Sequence, residues 1–377
     1  MSKLLKCLCM AIILAMYTSV QANSTYTSIS PSSNDPKDET AASSISLRLA
    51  GLELPLSTPA SDAHLQRKLK DYLGGGSHST ERMLGRANQY FPVFEYYLAK
   101  HNMPESLKYL AVAESMLVPG AVSSARAAGL WQLMPATARS MGLRVDGTVD
   151  ERLDMYRSTE AAVIMLQELH QQFGDWHLAL AAYNCGPGRV RRAIRSAGGH
   201  TFYPKVKRYL PRESQQYVAS YVAAAYTVNY YGDYGLTPAD YLLEDSVASI
   251  SVYRYISLNR LAKAAGVPVR LVRKMNPSYL RGFVPSNKTG YRLRIPLEYA
   301  WDAQRYVWGR PNLVLLDKNP DIATAQQVAT DLEFDAEQWL FGCKSQNLRH
   351  QPSLVQVYAV AQMNLRLLAA YEAVAMN

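Results

Sequence analysis

Cysteine is scarce in this chain. The 377 residues contain four cysteines, and two of them, Cys7 and Cys9, fall within the first ten positions. Only Cys185 and Cys343 remain, which is too few for the network of disulfide bridges that stabilises small secreted domains. Whether these two cysteines pair stays open. The chain must therefore bury an apolar core, and its length allows two domains.

A long apolar run is also missing. The most apolar stretch, Cys7–Met16, is shorter than the ~20 residues that span a bilayer. It follows Lys3 and Lys6 and precedes Val20-Gln21-Ala22, which is the order of a secretion signal. We therefore expect residues 1–22 to be a signal peptide and the protein to be exported to the periplasm or cell envelope. A retained anchor and a lipidated cysteine are the alternatives.

Histidines are few and scattered. His170, His177 and His200 lack the spacing of metal ligands, so the sequence predicts no metal site and no cofactor. Cys185 has no histidine at a spacing typical of a catalytic nucleophile, and we interpret it as a packing residue at a turn.

The charge balance is positive, with 40 Lys and Arg against 31 Asp and Glu, a formal net charge of +9. Such a balance suits an anionic partner, whether a cell-wall polymer, a lipid surface or nucleic acid. The basic residues are scattered along the chain, and with an export signal we expect no nucleic-acid partner. Tyrosine is abundant, with 26 Tyr against 7 Phe; such rings suit sugar clefts but are equally common as structural residues.

The sequence divides into five parts. The expected parts are a signal peptide at 1–22, a polar flexible linker at 23–62, a helical domain at 63–235, a strand-helix-helix-strand module at 250–297 and a C-terminal region with helical patterns at 298–377. Within the helical domain, Pro135, Asp175 and Pro211 are expected to begin helices, and Ser158 or Thr159 to cap another. The sequence therefore predicts a mainly α fold with a small α+β module.

One carboxylate lies on the apolar stripe of a predicted helix. Apolar residues recur at helical spacing over 105–118, and Glu114 shares a face with Leu110 and Leu117. Burial without a cation raises the pKa of a carboxyl group, as a general acid at neutral pH requires. Pro119-Gly120 is expected to end this helix. The alternative is a structural glutamate that pairs with an arginine or a tyrosine hydroxyl.

Four segments of the helical domain carry chemical groups in a fixed order. They are Ala113-Glu114-Ser115, Gly129-Leu130-Trp131-Gln132-Leu133-Met134, Ala182-Tyr183-Asn184 and Pro211-Arg212-Glu213-Ser214-Gln215-Gln216-Tyr217. Together they resemble the soluble-lytic-transglycosylase-like domain of the family 1 lytic transglycosylases, over roughly residues 90–231. The resemblance implies a lysozyme-like helical fold and cleavage of peptidoglycan.

The resemblance also implies residue roles. Glu114 matches the single catalytic glutamate. The residues implied to contact the substrate are Ser115, Gln132, Met134, Tyr183, Asn184 and Tyr217. Among them, the Tyr217 hydroxyl is implied to hydrogen-bond the catalytic carboxylate.

A single carboxylate is enough for a particular reaction. Ordinary glycosidases use two, but one suffices if the substrate supplies the attacking hydroxyl. Glu114 would protonate the oxygen between N-acetylmuramic acid and N-acetylglucosamine, and then accept the proton of the muramic acid C6 hydroxyl as that oxygen attacks C1. The expected partner is therefore a peptidoglycan glycan strand, and the expected product is a 1,6-anhydro end.

Structural interpretations of these residues stay open. Gln132 could satisfy backbone groups in a turn, Tyr183 and Asn184 could end a helix, and Glu213 could interact with a helix dipole. Two other functions also stay open. One is a hydrolytic muramidase whose second carboxylate comes from the Asp150–Asp154 cluster, and the other is a non-catalytic peptidoglycan-binding scaffold.

The module at 250–297 is similar to a lysin motif, a peptidoglycan-binding unit. The similarity rests on Leu261-Ala262, Gly266-Val267, Asn276-Pro277 and the closing strand that begins at Tyr291. The usual opening Gly-Asp-Thr-Leu is replaced by Tyr255-Ile256-Ser257-Leu258, so sugar binding and a purely structural role are both open. The domain order resembles the membrane-bound lytic murein transglycosylase D group, and peripheral association with the cell envelope is compatible with it.

Overall fold

Two hydrophobic clusters organise the part of the chain that the computed structural model describes, which is residues 39–74, 77–240 and 247–308. The chain divides into two units, Met1–Ser43 and Ser44–Asn377, and both clusters belong to the second. The first cluster is built by helices, and the second by two short sheets with three helices. The expected mainly α fold with a small α+β module is confirmed. The predicted signal peptide lies outside the described residues.

Ten helices lie between residues 39 and 240. Their bounds are α1 Glu39–Ala50, α2 Ala63–Leu73, α3 Ser77–Lys100, α4 Tyr109–Ser115, α5 Pro135–Ser140, α6 Met155–Phe173, α7 Trp176–Cys185, α8 Pro187–Ser196, α9 Tyr203–Lys207 and α10 Arg212–Tyr230. A 3₁₀ turn at Glu105–Lys108 leads into α4, and another at Glu151–Leu153 leads into α6. No helix in the described ranges has both the length and the apolar character to cross a membrane.

The helix α10 lies at the centre of the first cluster. It packs against α2, α4 and α7, and its residues from Tyr217 to Thr227 are buried except Ser220. Among the described residues, the largest fully buried side chain is Trp131, whose ring lies 4.9 Å from that of Phe94. Its indole N–H donates to Thr159 Oγ1 at 2.9 Å, so the polar atom of this large aromatic side chain has a partner inside the core.

Local sequence explains several helix starts. Pro135 is the first residue of α5 and Pro211 immediately precedes α10, where the fixed φ of proline is favourable. Asp175 caps α7 by accepting a hydrogen bond from Leu178 N. These three predictions are confirmed.

The cap of α6 differs from the prediction. Asp154, rather than Ser158 or Thr159, accepts hydrogen bonds from the backbone N–H groups of Tyr156 and Arg157. The Ser158 hydroxyl instead donates to Asp154 O at 2.6 Å, and Thr159 is occupied by Trp131. Aspartate, serine and threonine are all favourable N-cap residues, so the sequence alone does not decide which of them begins the helix.

The expected flexible linker at 23–62 also differs from the structure over its second half. Residues 39–50 form α1, and Leu56 is buried in the first cluster with Leu49, Leu52 and Leu54 packed against it. Apolar residues spaced among the serines and prolines thus pack residues 45–56 onto the helical core. Residues 23–38 lie outside the described ranges.

The second cluster lies within a small α+β module. Its strands are β1 Val247–Val252, β2 Ile256–Ser257, β3 Phe283–Val284 and β4 Tyr291–Pro296, and its helices are α11 Leu258–Ala265, α12 Val269–Met275 and α13 Ala300–Trp308. β1 pairs antiparallel with β4, from Val247 opposite Pro296 to Val252 opposite Tyr291, and β2 pairs with β3. The helix α13 buries Ala303 and Val307 in this cluster, although the sequence placed it in the C-terminal region at 298–377. The rest of that region lies outside the described residues.

The module is docked on the loop that precedes α6. Val149 is fully buried in the second cluster and forms a β-bridge with Tyr279. Backbone hydrogen bonds join Asp150 N to Ser278 O and Leu280 N to Thr148 O. The module is therefore attached by backbone pairing as well as by side chains.

A buried ion pair completes this attachment. Both terminal nitrogens of Arg294 donate to the Asp154 carboxylate, at 2.8 and 3.1 Å, and the guanidinium stacks over the Tyr156 ring. Burial alone would raise the pKa of Asp154. The charge of Arg294 and the backbone N–H groups of Tyr156 and Arg157 outweigh this effect and hold the pKa below its ordinary value. One carboxylate thus caps α6 and binds the module.

Candidate active site

The first segment ends in an unusual turn. The helix α4 stops at Ser115, before Pro119-Gly120, because Met116 and Leu117 adopt left-handed conformations with φ of 52° and 58°. The guanidinium of Arg86 donates to Met116 O at 2.8 and 3.2 Å, which satisfies a carbonyl at the helix end. Glu114 therefore lies on the last turn of a short helix, and Arg86 stabilises the end of that helix.

Glu114 and Tyr217 are in direct contact. The Tyr217 hydroxyl donates to Glu114 Oε1. The glutamate keeps some solvent exposure, yet burial raises its pKa to about 7, opposed by the Tyr217 hydrogen bond and assisted by the negative charge of Glu213. Burial also raises the pKa of Tyr217 well above its ordinary value, so the hydroxyl stays protonated and remains the donor. A carboxyl group in this state can both give and accept a proton near neutral pH.

The second segment is a tight loop with little freedom. Gly129 has a φ of +83°, and a Cβ atom at this position would lie 1.9 Å from Arg152 O. Gln132 also has a positive φ, 46°, and its side-chain amide donates to Ala121 O and Gly129 O. These contacts match the structural interpretation of Gln132. Met134, by contrast, is 43% exposed.

The third and fourth segments meet at an amide. Asn184 Oδ1 accepts a 2.6 Å hydrogen bond from the hydroxyl of fully buried Ser214. The Asn184 amide nitrogen is 3.5 Å from Glu213 Oε1. Because Ser214 bonds the oxygen, the amide N–H groups point toward Glu213 and the surface. Glu213 and Ser214 are the functional candidates that the sequence reasoning missed.

Hydrogen bonds join the four segments in a closed ring. The Ser115 hydroxyl donates to Leu130 O at 2.8 Å and links the first segment to the second. The Tyr183 hydroxyl donates to Trp131 O at 2.7 Å and links the third to the second. The bonds from Ser214 to Asn184 and from Tyr217 to Glu114 close the ring through the fourth.

Two of the seven predicted site side chains take no part in this ring of hydrogen bonds. Glu114, Ser115, Tyr183, Asn184 and Tyr217 all take part in it. The remaining predicted side chains, Gln132 and Met134, have no hydrogen bond to the other segments among the described residues.

The acidic cluster before α6 is already engaged. Asp150 pairs with Arg152 at 2.7 Å, and both are buried. Asp154 pairs with Arg294, and Glu151 accepts from Arg144 N at 2.7 Å. A carboxylate neutralised by a buried cation is a poor base, so this cluster is organised for structure.

Metal binding has no constellation to support it in the described ranges. No group of three His, Cys, Asp or Glu side chains there is placed to hold an ion. Cys185, at the end of α7, forms no disulfide with any described residue, and Cys343, with which it could pair, lies outside the described residues.

Comparison with known proteins finds two protein families whose models match parts of this chain. Residues 91–205 match the transglycosylase SLT domain. Residues 246–303 match the LysM-like domain of the lytic transglycosylase MltD. The expected resemblance to both a lytic transglycosylase and a lysin motif is confirmed. The SLT match contains Glu114 and Asn184 and stops before α10, so Tyr217 lies beyond the matched range.

Individual relatives agree with the SLT match. The chain is 34% identical over 230 residues to membrane-bound lytic murein transglycosylase D of Escherichia coli strain K12, covering 60% of this chain and 50% of the relative. It is 30% identical over 152 residues to the soluble lytic murein transglycosylase of the same strain, covering 38% of this chain and 24% of that protein. The chain thus spans about half the length or less of these curated relatives.

A solved structure is also similar. The crystal structure of the 70 kDa soluble lytic transglycosylase from Escherichia coli is 27% identical, with a TM-score of 0.32, over 40% of this chain and 25% of that chain.

Proposed function

We propose that this protein is a peptidoglycan lytic transglycosylase with Glu114 as its general acid and base. The observation that carries the proposal is a single partly accessible carboxyl group with a pKa of about 7, held by a tyrosine hydroxyl within the SLT-matched domain. The names of the two curated relatives support the same reaction class.

The chemistry needs one group in two protonation states. Protonated Glu114 donates its proton to the glycosidic oxygen between N-acetylmuramic acid and N-acetylglucosamine, and the bond from C1 to that oxygen breaks. The C6 hydroxyl of the muramic acid then attacks C1 and passes its proton to the Glu114 carboxylate. The enzyme returns to its starting state, no water is consumed, and a 1,6-anhydro end is left.

The other predicted site residues would contact the substrate or hold the loop of the second segment. The Asn184 amide, fixed by Ser214, would present N–H groups to a sugar oxygen, and Ser115 would hold Glu114 against the Gly129–Met134 loop. Tyr183 would keep that loop in place through Trp131 O. Met134, the exposed predicted residue, would contact the glycan directly. Gln132 would act on the loop conformation through its two carbonyl partners.

The hydrolytic alternative does not obtain its second carboxylate from the Asp150–Asp154 cluster. The acidic cluster before α6 is neutralised by Arg152 and Arg294 or occupied by a backbone donor. An inverting or retaining hydrolase would need one of these groups free beside the substrate.

The site of action would be the cell envelope. We propose that residues 1–22 direct export and that the protein meets peptidoglycan in the periplasm, with peripheral association at the envelope. The relative in Escherichia coli is named as membrane-bound, which supports an envelope location.

Product analysis with a Glu114→Gln variant tests the reaction. We expect the unmodified enzyme to release anhydromuramic acid ends from purified sacculi, as seen by mass spectrometry, and the variant to be slower by about a thousandfold or more because the proton donor is lost. Reducing muramic acid ends from the unmodified enzyme would indicate the hydrolase. Equal turnover by both proteins would exclude Glu114 from the reaction, and absence of cleavage with retained binding would indicate the scaffold.

A further inference from the structure

The positive charge of the chain is concentrated in the α+β module. Lys and Arg occur throughout the sequence, but residues 247–308 contain eleven of them with only Glu298 and Asp302 as acidic residues, a formal charge of +9. This equals the formal charge of the whole chain. The remaining residues are together neutral, so the excess of positive charge belongs to residues 247–308.

Two neighbouring helices display part of this charge. α11 and α12 bury their apolar faces in the module, while the side chains of Arg260, Lys263 and Arg270 are exposed. These three side chains make no hydrogen bond or ion pair with any described residue. Asp302 is paired with Arg305 at 3.5 Å. The basic face, defined as Arg260, Lys263 and Arg270, therefore has no anionic partner within the described part of the chain.

We propose that this basic face binds the carboxylate-bearing peptide stems of peptidoglycan, so that the module selects charged strands over neutral glycans. The inference rests on the proposed function, since it assumes that the strand in the Glu114 site is peptidoglycan. Uncompensated cations on neighbouring helices create a potential that attracts a polyanion and speeds its association.

The composition of the face favours a polymer over a lipid bilayer. On α11 and α12, Val269 is the one large apolar side chain with substantial exposure, at 37%. A surface that inserts among acyl chains needs a broad apolar side in addition to its cations, and this face has none.

The attachment of the module fixes its position with respect to the helical domain. The Arg294–Asp154 pair and the backbone bonds at Val149 and Asp150 attach the module to the loop that precedes α6 in the helical domain. A strand that is bound at the basic face is consequently held at a fixed place with respect to Glu114, rather than at the end of a mobile arm.

Binding to intact sacculi tests the proposal. The full chain carries Glu114→Gln in every sample, so that the polymer is not digested, and the test variant adds Arg260→Gln, Lys263→Gln and Arg270→Gln. We expect its affinity for sacculi to fall about tenfold at low ionic strength, as three exposed charge interactions of modest size would give. The difference should shrink toward zero at about 1 M salt, where the Debye length is about 3 Å.

A matched control removes equal charge elsewhere. The variant Arg191→Gln, Arg192→Gln and Arg195→Gln neutralises three exposed side chains of α8 and should retain affinity for sacculi within about twofold. Equal losses in both triple variants would overturn the proposal, because net charge rather than the basic face would then govern binding. Unchanged affinity in the α11–α12 variant would also overturn it.

Two further ligands identify the partner. Binding to chitin beads, a neutral glycan, should be the same with and without the basic face. If the α11–α12 variant keeps its affinity for sacculi but loses binding to anionic phospholipid vesicles, the face is a lipid site and the proposal is wrong. Product analysis of the catalytically intact chain is a separate measurement, so failure of the proposed reaction would be seen independently of these affinities.

Discussion

At the scale of single residues, the Tyr217 hydroxyl adjusts the acidity of Glu114. Burial raises the pKa of Glu114 to about 7, and the hydrogen bond from Tyr217 works in the opposite direction because it stabilises the carboxylate. A general acid must be protonated to act, so cleavage is expected to decline as the pH rises through about 7. In the proposed reaction, burial, the Tyr217 hydroxyl and the Glu213 charge would together set the alkaline limit of activity.

Tyr217→Phe should move this alkaline limit to higher pH. Without the hydroxyl, the carboxylate loses a stabilising donor and the pKa of Glu114 rises further. The maximum rate should also fall by about tenfold, the effect of losing one positioning hydrogen bond of about 1.4 kcal/mol. The measurement is kcat/KM against pH with soluble glycan strands.

Glu213→Gln is a control that should move the alkaline limit of activity in the opposite direction. The negative charge of Glu213 contributes to the raised pKa of Glu114, so its removal should shift the alkaline limit to lower pH. Shifts in the same direction for both variants would contradict this assignment of the two effects.

At the residue scale, periodicity and resemblance indicate the same carboxylate. Glu114 was identifiable because a carboxylate stood on an apolar stripe. Its contact with Tyr217, more than a hundred positions away, came from the resemblance alone. Ser214 and Glu213 were not assigned to the site because polar residues in the first turn of a helix usually cap it or interact with its dipole. Only the fold shows that they reach Asn184.

At the scale of elements, helix starts were easier to predict than helix ends. Pro135, Asp175 and Pro211 act through their own backbone or their nearest neighbours, so the sequence contains the necessary information. The end of α4 depends on Arg86, which comes from α3, and on two left-handed residues without glycine. Such long-range contacts leave no local pattern.

Gly129→Ala should destabilise the loop of the second segment. The added methyl group would meet Arg152 O at 1.9 Å in a backbone conformation that already disfavours a side chain. We expect a loss of roughly 3 kcal/mol or more in the free energy of unfolding, measured by chemical denaturation.

Gly142→Ala is the matched control for this position. Gly142 also has a positive φ, 78°, but no atom lies within 4 Å of the added methyl group. Its cost should be only about 1 kcal/mol, from backbone strain alone. Equal costs at the two glycines would show that the approach of Arg152 has no energetic effect.

At the scale of the whole molecule, the α+β module and the helical domain share a buried ion pair. The Asp154 pKa is lowered in the folded state, so the pair contributes stability above the ordinary pKa of a carboxyl group. That contribution is lost as the pH falls through the lowered folded value. Acid should therefore weaken the attachment of the module.

Arg294→Met should destabilise the protein by about 3–5 kcal/mol, because it leaves the Asp154 carboxylate buried without its cation. The double variant Asp154→Asn with Arg294→Met should lose less, since asparagine keeps an oxygen for the α6 cap and has no charge to bury. Equilibrium denaturation of the two proteins and of Asp154→Asn completes a double-mutant cycle. A double variant as unstable as Arg294→Met would contradict the role of the unpaired charge.

The docking of Val149 inside the core of the module limits how this architecture can change over evolution. A chain that lost the module would expose Val149 and leave Asp154 without its arginine, so deletion carries a penalty that a tethered accessory domain would not impose. A substitute module would have to supply both an apolar cavity for Val149 and a guanidinium at the position of Arg294. Recombination at the segment between α10 and β1 is therefore expected to yield foldable chimaeras only between proteins that share the loop before α6.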